Sequence, residues 1–406
     1  MPSWRPVAVR ALAVVTALGI WSAAAAGWRL SGSPAHDTAR RASPISDGSA
    51  AGRTGFTVDP SQLACDGPRR FDALLNGTGP FCVPKDQIRA IDAPTFVSAR
   101  RARFLPPVEP VVALDLGGES RAYPIRVLLF REVVNDVVAG QPVVVTYCPL
   151  CDSAVAFSRR VAGRTLVFGV SGQLQFANLL MFDRQTGTLW QQLTGNAVRN
   201  TGPLSGQRLS LVPVQLVSFR DWRAAHPDGL VMTEPKGSGD PYGRDAYSFY
   251  DHGPDEPSIV VRQEHVDPRL PPKWRVTGVF TPDGAVAFAA PRGMGTIAVR
   301  AGRVGATPLV AFFAYGAAQA DRTYYLKDAP PGWSASVWDA RLDGRTLSFV
   351  AGDGAIVETG TGSRFDFFGR GVSGPLAGRR LLPVPQVSAF WFAWAHFFPG
   401  TGLVRG

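Results

Sequence analysis

The sequence predicts a β-rich α+β protein of two tandem duplicated modules, each made of hairpins, mixed sheet and short helices. Three observations predict it. Gly and Pro are frequent, at 44 and 34 of 406 residues, which favours turns and strands over long helices. Short apolar runs such as Val143-Val144-Val145 are bounded by glycine turns, as in strands. A set of short motifs also occurs twice in the same order.

The N-terminus reads as a targeting segment. Arg5 and Arg10 precede an apolar run from Ala11 to Trp28 that contains Ala23 to Ala26, small enough for a cleavage site. The run is also just long enough to span a bilayer. Residues 1–30 are therefore a signal peptide or an N-terminal anchor, with a possible membrane tether through residues 7–28. Residues 31–55, rich in Ser, Ala, Gly and Arg, read as a flexible tether. The rest of the chain is expected outside the cytoplasm, secreted or anchored to the cytoplasmic membrane.

Residues 56–104 form an N-terminal extension. Cys65 and Cys82 flank a loop with Asn76, Gly77, Gly79 and Pro80. In an oxidising compartment they are expected to pair as a disulfide. That leaves Cys148 and Cys151 to each other or to a ligand.

Module one spans 105–235. Val111 to Leu114 and Ser120 to Tyr123 flank Gly117-Gly118 as a hairpin. Ile125 to Arg131 suits a short helix, Asn135-Asp136 a turn, and Val143 to Tyr147 a buried strand. Ala154 to Phe157 and Thr165 to Val170 suggest a second hairpin about Ala162-Gly163. Leu179 to Phe182 and Thr188 to Gln192 suggest a third about Gln185-Thr186-Gly187. A linker follows at 236–272, with Tyr242, Tyr247 and Tyr250 either lining a groove or packing the linker down.

Module two, degenerate, spans 273–406. Gly163-Arg164-Thr165-Leu166 recurs as Gly344-Arg345-Thr346-Leu347. Gly202-Pro203-Leu204-Ser205-Gly206 recurs as Gly374-Pro375-Leu376-Ala377-Gly378. An aromatic helix ends each copy, closing at His226 and His396, where helix capping is the simplest use of the imidazole. This period exceeds that of solenoid repeats. Aligning Pro308 with Pro142 puts Ala314 at the place of Cys148, so the second copy lacks both thiols. The fold of a module does not require them.

Tyr147-Cys148-Pro149-Leu150-Cys151 is therefore the candidate site. Two thiols three residues apart serve as a redox couple, half of a metal site, one reactive thiolate, or a structural disulfide. The motif precedes strand, not helix, which disfavours a thioredoxin-like arrangement with its helix dipole. Arg184 is a candidate source of positive charge for the thiols. A copper or zinc site would need further ligands from His226, His252, Met181 or Asp183. Asp183, Arg184, Trp190 and Gln192 on the third hairpin form a candidate ligand-binding set, or else an ion pair, a core aromatic and an edge amide.

The net charge of +10 is nearly all arginine, scattered along the chain. No basic stripe or nucleic-acid motif is present, which argues against nucleic acid as partner. No cofactor is strongly implied.

Taken together the motifs resemble the domain-of-unknown-function family 3179. The residues that carry the resemblance include Pro84-Lys85-Asp86, Arg121-Ala122-Tyr123-Pro124, Gly140-Gln141-Pro142 through Cys151, Phe168-Gly169-Val170-Ser171-Gly172 and Met181-Phe182-Asp183-Arg184-Gln185-Thr186. Gln173, Gln175 and Phe176 depart from the usual pattern. The resemblance implies a fold and an exported location, but no reaction. Three functions stay open: a thiol/disulfide redox protein of the cell envelope, a metal- or ligand-binding module without catalysis, and a structural envelope protein.

Overall fold

A computed structural model describes residues 83–245, 247, 266–319 and 325–405. The targeting run, the tether, the Cys65–Cys82 pair, His252 and Tyr250 lie outside the described residues. Strand accounts for 48% and helix for 9%, so the β-rich α+β class holds.

The first half contributes β1 (Phe96–Ser98), β2 (Pro110–Leu116), β3 (Glu119–Pro124), helix α1 (Ile125–Arg131), β4 (Val133–Val138), β5 (Gln141–Cys148) and β6 (Ser153–Ser158). Then come β7 (Arg160–Val161), β8 (Arg164–Thr165), β9 (Phe168–Gln175), β10 (Asn178–Asp183), β11 (Leu189–Gln191), β12 (Leu211–Val212), β13 (Val214–Ser218), α2 (Phe219–Ala225) and β14 (Leu230–Met232).

The second half contributes β15 (Arg275–Thr281), β16 (Gly284–Ala289), β17 (Ile297–Val304), β18 (Thr307–Ala318), β19 (Pro331–Asp339), β20 (Arg341–Leu342) and β21 (Arg345–Thr346). It continues with β22 (Phe349–Gly352), β23 (Ala355–Glu358), β24 (Arg364–Phe365), β25 (Gly371–Ser373), β26 (Leu382–Pro383), β27 (Val387–Phe390), α3 (Trp391–Phe397) and β28 (Gly402–Val404).

The pairings run in parallel. β2 pairs with β3 and β13, and β14 lies parallel to β3. Likewise β15 pairs with β16 and β27, and β28 lies parallel to β16. β5 pairs with β4 and β6, with β12 on β6. β18 pairs with β17 and β19, with β26 on β19. Cys148 faces Ser153 across the first ladder, and Ala314 faces Ser334 across the second.

The two halves are not laid end to end. One large sheet runs β28-β16-β15-β27-β6-β5-β4, with β12 on β6, and crosses from one half to the other where Ser388 meets Ala154. On the other side β13 lies beside β19. The described residues fall within one compact unit.

Two expected turns differ. Asn135 and Asp136 sit inside β4, because their side chains bond inward rather than to a local turn: Asn135 Nδ2 donates to the Phe168 carbonyl at 2.8 Å and its Oδ1 accepts from Phe168 N at 2.9 Å. Asp136 accepts from Tyr123 Oη and Arg121 Nη1, both at 2.6 Å. The second hairpin is limited to the two-residue ribbon β7–β8 about Ala162-Gly163. β6 is taken by β5, β12 and β27, and β9 by β10.

The helices follow local chemistry. Ser218 caps α2 by accepting from Asp221 N at 3.1 Å. Helix α3 (WFAWAHF) is apolar on nearly every face and is buried accordingly. It lies in the cluster that also holds Cys148, Cys151, Val155, Phe157, Met181 and Trp190.

Candidate functional site

Cys148 is the last residue of β5, and Pro149–Cys151 make one 3-10 turn before β6. Asp152 closes that turn in the left-handed region at φ 47°, a conformation Asp tolerates better than most L residues. Its carboxylate accepts from Tyr147 Oη at 2.8 Å and pairs with Arg275 of the second half. The loop is pinned on both flanks.

Both thiols are free and buried. They aim at one acceptor, the Ala177 carbonyl, at 3.6 Å from Cys148 Sγ and 3.1 Å from Cys151 Sγ. Burial pushes the Cys151 thiol well above its ordinary range. Its hydrogen bond and charge coupling to Cys148 add to this, and the Asn178 side chain opposes it. Arg184, expected as a cation for the thiols, is instead held by Asp92 and Asp86.

Ala177 belongs to a strap. β9 and β10 continue past a bulge at Leu180 to a turn at Phe176 and Ala177, both at positive φ. The hairpin β22–β23 of the second half is shorter and turns at Asp353-Gly354. The tip of the β9–β10 hairpin folds over the cysteines. Phe176 rests on His396 and Phe397 of α3.

Beneath the thiols lies a closed polar group. Gln192 Oε1 accepts from Ser153 Oγ at 2.9 Å and Asn178 Nδ2 at 2.8 Å. Gln192 Nε2 donates to Thr146 Oγ1 at 3.1 Å and to the Ser153 carbonyl at 3.0 Å. Asn178 Oδ1 accepts from Leu193 N at 3.1 Å. By register, Phe312 stands in the second half where Thr146 stands in the first. The polar floor, like the thiols, belongs to the first half.

Of the candidate ligand set, Gln192 is brought to the cysteines. Asp183 and Trp190 are tied into a turn: Asp183 accepts from Thr186 N at 2.6 Å, Thr186 Oγ1 at 2.8 Å and Trp190 Nε1 at 3.0 Å. The second half repeats the turn. Glu358 accepts from Gly360 N at 2.7 Å, Thr361 N at 2.8 Å and Thr361 Oγ1 at 2.5 Å.

His226 caps α2: Nδ1 lies 3.0 Å from the Trp222 carbonyl and Nε2 lies 3.2 Å from Asp115. Met181 is buried in β10 opposite Trp190. Among the described residues no group of three His, Cys, Asp or Glu is placed to hold a metal ion. Nor, among them, is any helix long and apolar enough to cross a membrane. Tyr242 Oη bonds Asp240 at 2.8 Å and accepts from Arg131 Nε at 3.3 Å, which packs the linker onto the end of α1.

Sequence reasoning did not single out Glu132, Asn178, Thr146 or Ser153. Glu132 is buried at the C-terminal end of α1, and its carboxylate accepts from Tyr247 Oη at 3.0 Å. Burial raises it to about 7. The available signal was weak: an acidic residue between an apolar helix and the apolar strand Val133-Val134.

The fold and site define a β-rich α+β protein with one buried vicinal dithiol, roofed by a hairpin extension. The chain belongs to the family described as a protein of unknown function, DUF3179, whose model matches residues 85–401. No curated protein and no solved structure matches it.

Proposed function

We propose that this is an exported thiol–disulfide protein of the cell envelope, with Cys148 as nucleophile and Cys151 as resolving thiol. The convergence of both sulfurs on the Ala177 carbonyl carries the reading. Support also comes from the roof and polar floor found in the half that holds them. The export reading rests on the apolar run after Arg5 and Arg10. The parallel order of pairings supports reading the halves as copies of one module.

The reaction is exchange with a disulfide-bonded partner. The Cys148 thiolate forms a bond to one partner sulfur, and the partner's S–S electron pair leaves on the other. Cys151 then attacks Cys148, forming the internal disulfide and releasing the partner as a dithiol. Two protons pass to solvent or to the released thiolates.

Free-thiol counting across graded redox buffers tests this. The Cys148/Cys151 count is expected to fall from two to none with a single midpoint, and Cys151→Ser should abolish that transition. A pair that never changes state from strongly oxidising to mildly reducing buffer excludes the redox role.

A second reading draws on the same convergence. Two thiolates without a third ligand among the described residues suit monovalent copper better than tetrahedral zinc. Elemental analysis of protein made without chelator separates them: stoichiometric copper lost in Cys148→Ser supports this reading, and sub-stoichiometric copper and zinc count against it.

A further inference from the structure

Asp115, near the end of β2, and Gln215 of β13 share one face of their sheet. Gln215 stands opposite Ala113 across the ladder, and Asp115 lies two residues beyond Ala113. Gln215 is only 6% exposed, and its side-chain amide has no hydrogen-bond partner among the described residues. A buried amide left without a partner is costly. This one lines a solvent-open cavity of about 170 Å³, together with Asp115, Pro213, Arg380, Leu381 and Pro383.

The second half supplies positive charge to it. An isolated backbone bridge brings Arg370 and Arg380 side by side. Asp115 Oδ2 accepts from Arg380 Nη2 at 2.7 Å and lies 3.8 Å from Arg370 Nη2. His226 Nε2 lies 3.2 Å from the same oxygen and 3.0 Å from Arg370 Nη2. The Asp115 carboxylate is thus used to hold Arg380 in place. Two guanidiniums against one carboxylate leave the cluster positive whichever state His226 takes.

Arg380 has five N–H donors, and one of them is used on Asp115. Its guanidinium also sits over the Trp338 ring, 6.0 Å from the ring centre. The ladder of β15 with β27 has the same pairing pattern, but its end is filled by Phe280 against Phe398, with ring centres 4.5 Å apart, and Arg208 lies over the Phe280 ring. Strand pairing of this kind does not itself demand the polar set around Gln215.

We infer that this cavity binds a small carboxylate. The ligand's carboxylate takes the remaining donors of Arg380, planar fork to planar fork. The Gln215 amide bonds a hydroxyl or carbonyl a few atoms away, and Pro213, Leu381 and Pro383 give the carbons between them an apolar wall. The volume is below the roughly 300 Å³ at which ligand pockets usually begin, so the occupant has few heavy atoms. The inference is independent of the thiol chemistry.

The test is thermal unfolding of the full chain in sodium lactate, with lactate exchanged for chloride so that ionic strength stays constant. The midpoint is expected to rise with lactate, as for a ligand bound by the folded state alone. Without ligand, Gln215→Leu should be at least as stable as wild type, because the unpaired amide is gone. It should need about fivefold more lactate, or more, for the same rise. Arg380→Gln should abolish the rise, and Arg380→Lys should recover little of it, since an ammonium lacks the fork. Cys148→Ser should keep it in full. An equal response in wild type, Gln215→Leu and Arg380→Gln would overturn the proposal, and so would its loss in Cys148→Ser. A response to inorganic phosphate but not to lactate, abolished in Arg380→Gln, would also overturn it by making the site one for phosphate. Should Arg380→Gln fail to fold, Gln215→Leu and Arg380→Lys decide.

Discussion

Glu132 sits where an ionised carboxylate is poorly solvated, and its folded and unfolded forms titrate differently. Burial raises it from an ordinary 4.5 to about 7. In the unfolded chain it loses its proton near 4.5, whereas the folded chain keeps that proton until about 7. The fold therefore binds more protons across this window, and stability falls as pH rises from about 4.5 to 7. The loss is on the order of 3 kcal/mol, and the contribution is flat above that. Asp115 acts in the opposite sense and elsewhere. Burial alone would raise it, but the hydrogen bond and charge of His226, with Ser120 and Arg380, hold it well below the carboxylate range. Its contribution is lost only as pH falls below about 3.8. Urea unfolding at pH 5 and pH 7.5 should thus show wild type losing stability over this interval while Glu132→Gln loses much less. Equal slopes in both proteins would show that Glu132 is ionised when folded. The residue scale is also where the sequence was least legible. Cys148 and Cys151 stand out by type and spacing. Asn178 and Thr146 are ordinary polar residues until the fold closes them around Gln192. Asp183 and Trp190 read equally as a binding set or as structure, because a turn that bonds its own backbone uses the same residue types as a ligand site.

The strap over the thiols shows what one element adds. β10 and β11 form the hairpin their sequence predicts, and the turn at Thr186-Gly187 was legible from its composition. The extension to Phe176 was not. Its residues Gln173, Leu174 and Gln175 are neither a clean alternation nor a turn signature, and their place is set by contacts with Val83 and α3. Gly172 marks the point of closest approach. Its φ is +77°, and a Cβ there would lie 1.8 Å from the Val83 carbonyl oxygen. Gly172→Ala therefore cannot be accommodated without moving one backbone away from the other, at a cost of about 2–3 kcal/mol from strain and lost packing. The roof over Cys148 and Cys151 is expected to loosen, so that alkylation of both thiols speeds up several-fold even where the protein remains folded. Unchanged protection at lowered stability would mean that α3, rather than the strap, keeps reagent out.

At the scale of the whole molecule, the repeated motifs pointed to two modules joined by a linker, and the strand pairings join the two halves directly. β6 of the first half needs β27 of the second to continue its sheet, and β13 lies against β19 in return. Asp152, directly after the second thiol, is paired with Arg275 across the same boundary. Short sequence motifs report which elements recur. They do not report which copy supplies the neighbouring strand, because an edge that pairs with its own module and one that pairs with the other have the same alternation. Separating the halves at the linker would expose the β6 and β27 edges and the apolar faces of Phe390, Trp391 and Trp394 around them. One cooperative thermal transition is therefore expected for residues 83–406, not two. Residues 83–235 produced alone should be unfolded or aggregated, with their cysteines alkylated at the rate of a free peptide. Co-expression with residues 266–406 should restore both the fold and the protection of Cys148 and Cys151. A first half that folds by itself with protected thiols would show that the crossing at Ser388 and Ala154 is incidental, and that the second half can be removed without disturbing the site.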